Sequence, residues 1–214
     1  MQRSALFILL TILSLCVIAL FVIVLLPKKA FEAKDALPEV AATLAEPTVT
    51  FIDPIRGDIN AGVTIIEYGD YLCPLCQNIE PDLQRVVAAA PRKRRIVWKD
   101  APNNDAHEAA VTVAMAARCA QDQGAFWMYH DRLMEARGSI TTAEQLQTLS
   151  QTLELNTTAF ASCMAASVTR PVVLHTLQEA MALKASGTPT LYINGKLYSG
   201  ALSAEAIETY LSTL

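Results

Sequence analysis

The chain has 214 residues, a formal charge of −4, an apolar fraction of 52% and five cysteines. That length holds one domain with a full hydrophobic core plus an extension, and is short for two such domains. No acidic or basic tail points to nucleic acid, and the one basic cluster, Arg92 to Arg95, falls where a charged turn is expected, between a helix end at Pro91 and a strand.

After a stub of residues 1–4, residues 5–26 run from Ala5 to Leu26 without a charge. About 22 residues at 1.5 Å each cross ~30 Å of hydrocarbon, so a transmembrane anchor is expected. A cleaved signal peptide, cut near Ala30 to Ala36, is the alternative, but Pro27-Lys28-Lys29 stands where a small-residue cleavage site would follow directly. Cys16 reads as a small apolar residue within this run. Arg3 lies on one side, and Lys28, Lys29 and Lys34 lie on the other, which by count favours a cytoplasmic domain. The cysteine chemistry argues the opposite orientation, and it outweighs a difference of one or two charges. Residues 27–47 are rich in Ala, Glu, Lys and Pro and read as a linker.

Strands are expected at Thr48 to Ile52, halted by Asp53-Pro54, and at Val63 to Tyr68. A helix follows from Cys73 to Ala90, kinked at Pro81, and then a strand from Ile96 to Lys99. The second strand, helix and third strand form a right-handed βαβ unit with a parallel pair. Helices are next expected over Ala106 to Gln123, Ala125 to Ala136, from a Thr141-Thr-Ala-Glu144 capping box to Leu153, from Thr157 or Thr158, and over Val172 to Ser186. The aromatic stripe of Phe126, Trp127 and Tyr129 reads as core. Asn194-Gly195 between two short strands is a type I′ hairpin signal, and Ser203 caps a last helix to Leu211.

Chemistry concentrates at Cys73-Pro-Leu-Cys76. A cysteine where a strand hands over to a helix meets free backbone N–H groups and the positive end of the helix dipole, which favour the thiolate. Pro74 fits the first helical turn, and Cys76 lies one turn on, within disulfide reach. A zinc site would need a second ligand pair at comparable spacing, and His107, His130 and His175 provide none, so no metal and no cofactor are expected. Glu67, on a core strand six residues before Cys73, is a candidate proton-exchange group for Cys76, or else the partner of Lys99 on the next strand. Asp70 reads as a turn residue and His107 as part of a helix's first turn. Cys119 and Cys163 lie on apolar helix faces and form either a second disulfide or two separate buried thiols; an even pairing suggests an oxidising compartment.

The stretch Glu67-Tyr-Gly-Asp70-Tyr-Leu-Cys73-Pro-Leu-Cys76, with Gly187-Thr188-Pro189-Thr190 far downstream, resembles the thioredoxin-like DsbA family of bacterial thiol-disulfide oxidoreductases over about residues 48–214. The resemblance implies an α/β thioredoxin fold, split into residues 48–100 and 169–214 by an all-helical insertion over 101–168. It implies that Thr188-Pro189 is a substrate-binding cis-proline loop facing Cys73 and Cys76, with Glu67 the buried acid beneath them. The implied activity is introduction of disulfides into cysteine-containing secreted proteins, with reoxidation by a membrane quinone-linked thiol oxidase of the DsbB or VKOR type. The implied place is the bacterial inner membrane, single-pass, as a monomer with the catalytic domain on the periplasmic side. A reductase or isomerase of the same compartment and a redox-inert binding module are the alternatives. Two departures bear on the choice: Leu75 stands where the best-known DsbA oxidases carry His, which implies a milder oxidant, and Thr188 stands where many carry Val.

Overall fold

The computed structural model describes residue 41 and residues 43–214. The apolar run over residues 5–26, Cys16 and the linker as far as residue 40 lie outside the described residues. Among those described, no helix is long and apolar enough to cross a membrane.

The strands are β1 (Ile55–Gly57), β2 (Val63–Gly69), β3 (Arg94–Asp100), β4 (Thr190–Ile193) and β5 (Lys196–Leu197), in the sheet order β1-β3-β2-β4-β5. β2 and β3 are parallel and the other pairs antiparallel. The β-branched run of β2 pairs on both edges and packs on both faces, as a continuous apolar strand should. The helices are α1 (Pro74–Ala88), α2 (Ala110–Gln121), α3 (Phe126–Glu135), α4 (Ala143–Thr152), α5 (Thr157–Ala166), α6 (Arg170–Ala182) and α7 (Ala204–Leu211).

Alternation along the central strands divides the core. Ile65 and Ile96 meet Ile79, Leu83 and Ile207 from α1 and α7 on one face, while Ile66, Tyr68 and Val97 meet Ala180 of α6 on the other. Trp98, at the end of the α1 face, joins Tyr71, Cys73 and Cys76 to the apolar sides of α2–α5. The helical block between β3 and α6 thus shares its core with the cysteine pair.

Several expectations need correction. Thr48 to Ile52 is not a strand: carboxylates, not a ladder, satisfy its backbone. Thr48 N donates to Glu179 at 2.8 Å and Thr50 N to Asp53 at 2.7 Å, and pairing begins only after Pro54, in β1. α1 ends at Ala88, not Ala90, and contains Pro81. The helix expected from Ala106 begins at Ala110, because Asn103 and Asn104 side chains hold the preceding turns. The capping box is Thr142 with Gln145, not Thr141 with Glu144; the Gln145 side-chain oxygen accepts from both Thr141 N and Thr142 N at 3.0 Å. Asn194 and Gly195 both take positive φ, 48° and 80°, as a type I′ turn requires, and Ser203 caps α7 by accepting from Ala206 N.

Candidate active site

Cys73 is the N-cap of α1, with extended backbone (φ −77°, ψ 120°) and Pro74 following at the first helical position. Asp70 builds the approach: its carboxylate accepts from Leu72 N at 2.8 Å and its carbonyl from Cys73 N at 3.1 Å. The other carboxylate oxygen accepts from Asn103 N at 3.1 Å and stands 3.0 Å from His107 Nδ1, tying the loop after β3 to the cysteine turn. His107 is therefore a partner of Asp70 and lies ahead of α2, outside its first turn. Gly69 is required in this stretch, since a Cβ there would fall 2.3 Å from the Trp98 ring.

Cys73 and Cys76 are unbonded in this structure, so its geometry is that of the dithiol. Cys73 is 8% exposed, a narrower window than an open sulfur, and Cys76 has no exposed surface. The two sulfurs differ sharply in acidity. Hydrogen bonding from the Cys76 thiol, with further bonds from Thr188 and the N–H groups of Leu75 and Cys76, lowers Cys73 to about 5 against the opposing effect of burial. Burial pushes Cys76 far up, as do its bond to Cys73 and the nearby Glu67; Asp70 N donates to its sulfur at 3.4 Å.

The Thr188-Pro189 peptide is cis, and the Thr188 carbonyl lies 3.2 Å from Cys73 Sγ. The structure thus brings residues 115 positions apart into contact. A cleft of about 460 Å³ adjoins Thr188, with Val111, Leu177 and Met181 among its apolar walls. Leu75, between the cysteines, is 57% exposed.

Glu67 has no exposed surface and neither of its oxygens has a hydrogen-bond partner among the described residues. Burial raises its pKa well above the carboxylate range, reinforced by the charges of Glu80 and Cys73. It is not paired with Lys99. In the parallel register Glu67 faces Trp98, so the pleat carries Lys99 to the opposite face, where it binds Asp53 at 2.9 Å and Glu179 at 2.8 Å. Cys119 and Cys163 form a disulfide joining α2 to α5, with a Cα separation of 5.9 Å.

Sequence reasoning passed over a second buried charged group beside Glu67. Glu80, one turn beyond Cys76 on the same face of α1, approaches His130 of α3 at 3.3 Å. Spacing from Cys76 was the available signal for Glu80. Among the described residues, Glu80, His130 and Asp131 come nearest to a metal-ligand set, but Arg56 already supplies the positive charge, 2.7 Å from Asp131 and 3.7 Å from Glu80.

A strand-to-helix Cys-x-x-Cys, acidic at its first sulfur and facing a cis-proline loop on a five-stranded sheet, defines the class as a thioredoxin-fold protein with a thiol pair of redox type. The chain belongs to the thioredoxin family: the family model described as Thioredoxin matches residues 50–213. It is similar to a thioredoxin-like oxidoreductase from Silicibacter pomeroyi DSS-3 (25% identity, TM-score 0.65, covering 77% of this chain and 92% of that one). It shares its fold with oxidised BdbD from Bacillus subtilis (18% identity, TM-score 0.68, 81% and 98% covered). Among curated proteins it is 31% identical over 187 residues to the Na(+)/H(+) antiporter NhaA 1 of Salinispora arenicola. That match covers 87% of this chain and 28% of the antiporter, so the chain spans little more than a quarter of that relative's length.

Proposed function

We propose that the protein is a thiol-disulfide oxidoreductase that passes the Cys73–Cys76 disulfide to cysteine-containing proteins outside the cytoplasm. The observation that carries this reading is the split in acidity between the sulfurs: Cys73 is lowered to about 5, while Cys76, one turn away, is held as a buried thiol. In the oxidised form a substrate thiolate attacks Cys73 Sγ and expels Cys76, whose sulfur takes up a proton, giving a mixed disulfide. A second substrate thiolate attacks the substrate sulfur of that bond and expels Cys73. A low pKa makes Cys73 a good leaving group in this last step. Glu67, whose carboxyl burial pushes well above the usual carboxylate range, supplies the proton to Cys76 and takes it back on reoxidation. Thr188 and Pro189 hold an extended substrate chain beside Cys73, with the adjoining cleft taking its apolar side chains.

The acidity of Cys73 lies between the ~3.5 of the strongest oxidases of this fold and the ~7 of thioredoxin. That supports a milder oxidant, in keeping with Leu75 between the cysteines. We further propose that residues 5–26 anchor the domain on the outer side of the bacterial inner membrane, that it works as a monomer, and that a quinone-linked thiol oxidase of the DsbB or VKOR type reoxidises it. The test is trapping: Cys76→Ala in the full chain, with Cys73 first converted to its glutathione mixed disulfide by glutathione disulfide, should exchange glutathione for reduced secreted proteins and accumulate mixed disulfides with them through Cys73. Failure to accumulate any would point to a redox-inert binding module. The in-cell state of the wild-type pair separates the remaining alternatives, mostly oxidised for a disulfide donor and mostly reduced for a reductase or isomerase.

A further inference from the structure

Closing the Cys73–Cys76 disulfide releases a proton inside the molecule. Cys73, as thiolate, attacks a sulfur of an acceptor disulfide and expels one thiolate. Cys76 then loses its proton as its sulfur bonds to Cys73 and expels the second, so two electrons pass to the acceptor and one proton must leave a sulfur with no exposed surface. The reduced site also carries one more negative charge than the oxidised site. Glu67 acts electrostatically on Cys76, and it feels the charges of both Cys73 and Glu80.

Behind it stands a buried pair that the exchange chemistry leaves unused. Glu80 is 3% exposed; its Oε2 has no partner among the described residues, and its Oε1 lies 3.0 Å from Gln84 Nε2 and 3.3 Å from His130 Nε2. His130 has no exposed surface and is enclosed by the rings of Tyr71, Trp98, Phe126 and Trp127, with centroids 5.3, 4.6, 5.6 and 5.0 Å away. Its Nδ1 stands 3.1 Å from the Tyr71 hydroxyl. Gln84 links Glu80 outward to Asp131 at 3.3 Å, which is partly exposed. An ionisable ring enclosed by aromatic residues, with an under-bonded carboxylate against its free nitrogen, is costly as mere packing.

We propose that His130 and Glu80 share a proton whose position follows the oxidation state of Cys73–Cys76, making His130 a positioning residue that acts on the sulfurs through Glu80 and Glu67. This rests on the reading of the pair as redox-active. The charged and titratable groups around His130 are its contacts Tyr71 and Glu80, its own neighbour Asp131, Arg56 of β1, which reaches Glu80 and Asp131, Glu67 of β2, which feels Glu80, and Arg118 of α2, which lies over the Phe126 ring at 5.5 Å and pairs with Asp100 of β3. The two arginines keep their charge in both redox states, so a difference between the states reports the sulfurs and the carboxylates between. The added negative charge of the reduced site favours the imidazolium, and by linkage the imidazolium favours the reduced site.

The test is a histidine-labelled NMR titration of the full chain in detergent, reduced with dithiothreitol and then oxidised with glutathione disulfide. His107→Gln and His175→Gln supply assignment by elimination, so the buried ring is never replaced. His130 should protonate at a pH about half a unit or more higher in the reduced protein, roughly a three-fold change in proton affinity. Glu80→Gln should collapse the difference. Superposable His130 titrations, a ring that never changes state, or a redox difference that survives Glu80→Gln would overturn the proposal. Thiol counting by alkylation on the same samples shows separately whether the disulfide forms at all, and failure there removes the redox reading itself.

Discussion

Cys73 combines an N-cap position, donors from two successive backbone amides and a thiol neighbour one turn away, and each of these favours its charged form. Thiolate absorbance of the reduced protein should therefore titrate near pH 5, and alkylation of Cys73 should slow below that pH while Cys76 stays inert. A midpoint in the ordinary thiol range would remove the basis for its leaving-group role. The sign for stability follows from linkage. Because the folded pKa is depressed, the thiolate stabilises the reduced fold fully above the ordinary thiol pKa, and the advantage is lost as pH falls through about 5. Glu67 behaves oppositely. Its folded pKa is raised by burial, so the unfolded chain ionises first and stability falls as pH rises from about 4.5 towards the folded value. Glu67→Gln should remove that slope, making the variant progressively more stable than wild type between pH 5 and 8 in urea unfolding, while slowing closure of the disulfide. Parallel pH profiles for the two proteins would mean that burial does not raise the Glu67 carboxyl.

At the scale of elements, the Cys119–Cys163 bridge ties α2 to α5 across 44 residues of the helical block. The chain-entropy model values such a closure at about 4 kcal/mol, so Cys119→Ala with Cys163→Ala should lose stability of that order in chemical denaturation and leave the Cys73 titration in place. A change in the titration would mean that the bridge also shapes the redox site. What could be read from the sequence was local: Cys73-Pro74 opening a helix, Asn194-Gly195 turning a hairpin and Ser203 capping α7 each depend on residues within three or four positions. What could not be read depends on distant partners. Thr48 to Ile52 has strand-like composition, yet Asp53 and Glu179 take its N–H groups, the latter from 131 positions away. Glu67 and Lys99 sit on neighbouring strands, and only the one-residue register of the parallel pair decides that they face opposite layers. His130 showed in the sequence only as a histidine with no ligand-spaced partner, and it is the packing of α3 that sets it against Glu80.

For the whole molecule, the helical block and the sheet close around one cysteine pair, whose buried charge is balanced from several elements at once: Glu67 from β2, Glu80 from α1, His130 from α3 and Arg56 from β1. Such a site releases or takes up a proton each time it changes oxidation state, and its acidity sets which way electrons run. A thioredoxin-family domain of this design would act on whatever thiols share its compartment, which the proposed anchor would fix. The most direct measurement is an equilibrium titration of the full chain in glutathione buffers, quenched by alkylation and read by mass. The Cys73–Cys76 pair should interconvert reversibly between dithiol and disulfide, with a midpoint between about −120 and about −230 mV at pH 7. A pair that never exchanges, or one with a midpoint below about −270 mV, would contradict a disulfide donor.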